Sequence, residues 1–188
     1  MGWSLCQGGN GGGGNSKIPC ICSDGRQYIT LPVYGDEDLV VKFKLLRGNH
    51  ESTSAVICGG WGTYKFLFHT YGYEYYYYTG TNSSVRIPEK PYVWQDCELG
   101  LGYAIVDGTT YTGGSDTRDH DALTVFGNGN NYLSNVAIGE IEIYKDGVLY
   151  LDLIPMQDSQ TGEGYYHDNV GNQDYYSETS TPLIYSEL

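Results

Sequence analysis

The chain has 188 residues, enough for one domain with a sizeable core. Its 23 acidic and 10 basic residues leave a net charge of −13, which argues against phosphate backbones and anionic membrane surfaces as partners. That balance suits a cationic partner or a neutral ligand such as a sugar. No stretch approaches the roughly 18 apolar residues of a membrane span. Residues Met1-Gly2-Trp3-Ser4-Leu5-Cys6 lack the basic and apolar regions of a signal peptide, so synthesis in a cytoplasm is expected. The five cysteines, Cys6, Cys20, Cys22, Cys58 and Cys97, are then expected as reduced thiols. Zinc is the competing reading of Cys20-Ile21-Cys22, but the spacing is tighter than usual and no histidine lies nearby.

Composition points to an all-β fold, with 20 Tyr suited to pleated surfaces, 27 Gly suited to turns, and no helical periodicity. Residues 1–23 are expected to form an arm and 24–188 one sandwich. Within the arm, residues 7–15 are a glycine-rich tether. The tip before it carries Trp3 and Leu5, which read either as a docking peptide or as a frayed end. Strand-like runs then alternate with turn signals. Leu39 to Leu45 ends at Gly48-Asn49, and Ala55 to Cys58 stops at Gly59-Gly60. Tyr64 to His69 leads through Gly72 into Tyr73 to Tyr78, a hairpin. Gly102 to Val106 and Thr109 to Tyr111 flank Asp107-Gly108, a type I′ signal. Ala122 to Phe126 ends in a Gly-Asn run. Ile138 to Tyr144 and Val148 to Ile154 flank a second type I′ signal, Asp146-Gly147. Pro88, Pro91 and Pro155 are expected to flank strands.

The C-terminal third carries the most specific pattern. Ile141 to Tyr144, the Asp146-Gly147 turn, Val148 to Pro155, Gly162 to Val170 and Gln173 to Tyr176 follow in order. Near the start stands Asp24-Gly25-Arg26-Gln27-Tyr28-Ile29. Together these resemble the opening and closing strands of the concanavalin-like, laminin-G-like jelly-roll domains common in bacteriophage structural proteins, over about residues 24–185. The resemblance implies a jelly-roll β-sandwich. It does not choose a function, because this sandwich hosts lectins, hydrolases and structural modules alike.

Three clusters invite functional readings. Tyr71 to Tyr78 would place Tyr73, Tyr75 and Tyr77 on one strand face, where they could serve as core, as protein interface or as sugar platform. Trp61, in a Gly-rich loop, could join such a patch, while Trp94 is expected in the core. Asp116, Asp119 and Asp121 gather in one loop as a candidate calcium site, the sole cofactor suggested, although Arg118 among them fits a self-paired surface loop. Glu140 and Glu142, at i and i+2 on a strand, stand about 6.8 Å apart on one face, as a glycosidase pair would. Their place in the closing hairpin speaks against that role, and the histidines show no nucleophile partner. The reading that follows is a non-enzymatic virion structural protein, a capsid or tail decoration or fibre module. It would dock on other virion proteins through its arm, form a homo-oligomer and touch host glycans. A free carbohydrate-binding lectin or a glycoside hydrolase on the same fold is the alternative.

Overall fold

The computed structural model describes residues 16–34, 38–48, 54–59, 66–78, 84–113, 122–127 and 134–186. Their strands are β1 (Ser16–Lys17), β2 (Cys20–Asp24), β3 (Ile29–Tyr34), β4 (Leu39–Arg47), β5 (Ala55–Gly59), β6 (Leu67–Tyr71), β7 (Glu74–Tyr78), β8 (Ser84–Pro88) and β9 (Gln95–Gly100). There follow β10 (Tyr103–Val106), β11 (Thr109–Thr112), β12 (Ala122–Val125), β13 (Asn135–Lys145), β14 (Val148–Gln157), β15 (Gly164–Asp168), β16 (Gln173–Tyr175) and β17 (Ile184–Ser186). Among the described residues no helix forms.

The strands build two antiparallel sheets. Sheet A has 11 strands along the order β11-β10-β9-β4-β13-β14-β15-β16, with β1 beside β14 and β2 between β13 and β17. Sheet B has 6, in the order β3-β12-β5-β6-β7-β8. Alternation decides which side chains meet between them. Val41, Phe43 and Leu45 of β4, Ile141 and Ile143 of β13, and Leu151 and Leu153 of β14 turn inward from sheet A. Ile29, Leu31, Phe68 and Leu123 answer from sheet B, and Phe43 meets Phe68 edge-on at 6.1 Å. Burying each such side chain contributes about 1.5–3 kcal/mol. The described residues therefore form an all-β sandwich around a main core, with a smaller buried cluster of Cys20, Cys22, Leu46 and Ala137 beside it.

The two expected type I′ turns are present. Asp107-Gly108 and Asp146-Gly147 have φ of 50° and 75°, and of 53° and 74°, as type I′ requires. Gln27 is fully buried behind the opening strand. Its amide oxygen accepts from Ser23 Oγ at 2.9 Å and from the Asp24 N–H at 3.1 Å, and its nitrogen donates to the Pro182 carbonyl at 3.0 Å. Asp168, buried at the end of β15, accepts from the Asp152, Val170 and Gly171 N–H groups, so the Gly162–Val170 signature holds a turn together.

Three expectations need correction. Residues 16–23 do not belong to an arm, since β1 pairs with β14 and β2 hydrogen-bonds between β13 and β17 and buries Ile21 in the core. Pro155 lies inside β14 instead of flanking it. Its carbonyl accepts from the Ile18 N–H at 3.0 Å, so its nitrogen faces the same side, where β1 is only a short partner and a missing donor costs little. Cys20, Cys58 and Cys97 are free thiols, but Cys22 is disulfide-bonded. The cysteines are therefore not all free thiols, contrary to the sequence reading. Burial pushes the Cys20 thiol up to about 11 and Cys58 to about 12, which disfavours the thiolates that zinc would need.

Candidate functional site

The outward side chains of sheet A form a groove of about 730 Å³ over its central strands. On β4 the outward positions are Lys42 and Lys44, on β9 Asp96 and Glu98, on β10 Ile105, and on β13 Glu140 and Glu142. Register aligns Ile105, Glu98, Lys42 and Glu142 in one row across four neighbouring strands. A bulge at Gly139-Glu140 lets both Ile138 and Ile141 face the core while Glu140 stays outside. One wall is the segment Lys17-Ile18-Pro19, and at one end stands Trp94.

The charges of this groove are paired within it. Lys42 Nζ lies 3.3 Å from Glu98 Oε2, Lys44 Nζ lies 3.7 Å from Asp96 Oδ1, and Lys17 holds Glu140. Lys42 Nζ also sits 5.2 Å above the Tyr144 ring centroid. Two phenols complete the row, Tyr144 Oη donating to Glu142 Oε2 at 2.9 Å and Tyr103 Oη donating to Glu98 Oε1 at 3.0 Å. The bond to Glu142 raises the Tyr144 pKa, and desolvation with the bond to Glu98 raises that of Tyr103, so both remain donors. Gly100 makes room for the Tyr103 ring, whose atoms would lie 2.4 Å from a Cβ there.

This geometry revises the glycosidase argument. β13 is both the first strand of the closing hairpin and a middle strand of sheet A, between β4 and β14, so its position does not exclude a catalytic pair. The surroundings of the pair speak against one instead. A general acid on this strand would need an apolar, cation-free setting. Glu140 is half-exposed beside Lys17, and Glu142 is held by Tyr144. These carboxylates are arranged to accept hydrogen bonds.

The tyrosine-rich segment divides differently from the sequence reading. Tyr75 and Tyr77 are fully buried and present no face to a ligand. Tyr75 Oη donates to Gln95 Oε1 at 2.9 Å and Tyr77 Oη to the Gly100 carbonyl at 2.8 Å, so both bridge sheet B to β9 of sheet A. Burial raises both phenol pKa values far above the usual value. Tyr73 does not share their face. It is 72% exposed in the β6–β7 turn, where Gly72 at φ 64° supplies the first position of a type II′ turn. Outward on sheet B stand Tyr71, Tyr76 and Tyr78 around His69. The His69 ring stacks on Tyr76 at 5.5 Å and on Tyr78 at 5.3 Å, Tyr71 meets Tyr76 edge-on, and Arg86 lies 5.5 Å from the Tyr76 ring.

Trp94 is the other correction. It is 39% exposed and lines the groove, whereas its neighbour Gln95 is the buried residue. Trp3, Leu5, Trp61 and the aspartates Asp116, Asp119 and Asp121 lie outside the described residues. Among the described residues no group of three or more His, Cys, Asp or Glu side chains is arranged to hold a metal ion. The groove itself was absent from the sequence reading, although like charges at i and i+2 recur as Lys42/Lys44, Asp96/Glu98 and Glu140/Glu142, a signal for one wet face across several strands.

No protein-family model matches this chain, and no curated protein matches it.

Proposed function

We propose that this chain is a non-catalytic carbohydrate-binding module of the concanavalin-like jelly-roll type, carried on a phage particle, with the outer groove of sheet A as its ligand face. The observation that carries the ligand reading is the groove's composition. An exposed indole and Ile105 offer apolar surface, while three lysine–carboxylate pairs offer hydrogen-bonding groups with no large net charge. Sugars present the same combination, an apolar ring face and a rim of hydroxyls. Charges already neutralised by neighbours favour a neutral ligand, since a charged one would have to displace a partner. The place on a virion rests on the sequence resemblance and on the apolar residues Trp3 and Leu5 ahead of the glycine-rich stretch 7–15.

The test is a glycan array with purified full-length protein, run with calcium and again with EDTA. Discrete hits that persist in EDTA and disappear in Trp94→Ala are the expected outcome. A blank array, or hits that Trp94→Ala leaves intact, would overturn the reading.

A further inference from the structure

The outer face of sheet B has a different chemistry, and it supports an inference independent of the groove. Over β6, β7 and β8 the described outward residues include Tyr71, Tyr76 and Tyr78, the last two stacked on a buried His69, with one acid, Glu74, and one base, Arg86. In a chain of net charge −13, this strip is locally neutral. Two copies of so acidic a chain repel wherever their acidic surfaces meet, and this is a place where they need not. The strip is also pre-ordered. Tyr76 is fixed by His69 on one neighbouring strand and Arg86 on the other, its hydroxyl donates to Glu74 Oε2 at 2.9 Å, and Tyr71 packs against its edge. Ring faces already stacked on one another are poorly placed to receive a sugar, while exposed tyrosine edges and hydroxyls suit a protein partner. Little side-chain freedom remains to be lost on docking.

We propose that this strip is the contact between two copies of the chain. The charges supply the complementarity. Arg86 Nη1 and Glu74 Oε2 are 3.9 Å apart within one copy, on adjacent strands. A two-fold axis lying in the plane of the face and passing between them sets each Arg86 against the other copy's Glu74, as an isologous interface requires. Tyr76 then lies near the axis and packs on its equivalent. Tyr71, 56% exposed, and Tyr73 at the hairpin tip flank it.

The test is sedimentation velocity on the full-length chain over a range of concentrations, with three samples beside the wild type. The wild type sediments as a dimer. Arg86→Glu, at an exposed position, and Glu74→Arg, at a partly exposed one, each weaken self-association by about tenfold or more, because like charges then face each other. An equimolar mixture of the two variants dimerises again, since every cross-axis pair is once more opposite in sign. Circular dichroism of each variant confirms that the fold is retained, and neither substitution touches the groove. A wild type that stays monomeric at several hundred micromolar overturns the proposal. So does a dimer indifferent to both reversals, or a mixture that fails to recover association.

Discussion

The two outer faces of the sandwich are built on the same alternation and use it in opposite ways. On sheet A the outward positions alternate in charge from strand to strand, Lys42 between Glu98 and Glu142, and the result is a groove whose ions neutralise one another. On β6 and β7 of sheet B the outward positions are largely aromatic, and the rings satisfy one another by stacking. The first face keeps polar groups open in a hollow, as a small ligand needs. The second offers a firm strip with few charges, as a protein surface needs. A single period-two pattern therefore supports two different kinds of recognition, depending on which residue types fill it.

The largest expected effect comes from the link between the faces. The chain leaves sheet B at Pro88 and enters sheet A at Gln95, and that crossover is pinned by Arg47 and Glu89, whose side chains are 2% and 0% exposed and 2.5 Å apart. The Arg47 carbonyl also accepts from the Tyr92 N–H at 2.8 Å. Glu89→Ala leaves a buried guanidinium without its carboxylate, and denaturant unfolding should show a loss of about 3–5 kcal/mol. The double change Arg47→Met with Glu89→Leu should recover most of it. If Glu89→Ala were neutral, the crossover would not be what holds Trp94 at the groove.

A smaller effect separates the inner tyrosines from the outer ones. Tyr77→Phe removes a donor from a buried carbonyl and should cost about 1–2 kcal/mol in the same assay. Tyr76→Phe, on the outer face, should change stability by less than about 0.5 kcal/mol. Equal costs would mean that the two faces of β7 are not distinct in the way described.

The smallest effect is a pH slope. Burial lowers the His69 pKa below its ordinary 6.5, and Nδ1 is engaged by Ser54 Oγ at 2.8 Å and the Thr70 carbonyl at 3.1 Å. The unfolded chain therefore takes up this proton more readily than the folded one. The contribution is fully present above the ordinary value and falls away as pH drops below it. Thermal unfolding of the wild type should lose ground relative to His69→Phe on acidification from pH 7 to 5. A difference that stays constant across that range would contradict the assignment.

The parts of this arrangement that were legible in the sequence are local. Asp107-Gly108 and Asp146-Gly147 announce their turns because φ > 0 at both positions selects such pairs, and Ile141 and Ile143 announce an inward face against Glu140 and Glu142. Two features misled for identifiable reasons. Tyr73, Tyr75 and Tyr77 have the spacing of one strand face, but the turn at Gly72-Tyr73 breaks the period, and the face that remains points into the core. β13 looks like part of a closing hairpin because β14 is its neighbour in sequence. Its other neighbour, β4, lies about 100 positions upstream, a pairing that no local pattern encodes. The groove needs that pairing, so it stayed hidden although each strand's charges were visible. Trp94 reads as core because it sits between Val93 and Gln95, but the crossover turns Gln95 inward and leaves the indole beside the hollow.

The central claim is that the ligand face is the groove of sheet A and not the aromatic strip of sheet B. The most direct measurement is a parallel glycan array of the wild type, Trp94→Ala and Tyr76→Ala. The account predicts that hits seen with the wild type vanish with Trp94→Ala and survive Tyr76→Ala. Hits lost with Tyr76→Ala and kept with Trp94→Ala would place sugar recognition on the opposite face and contradict it.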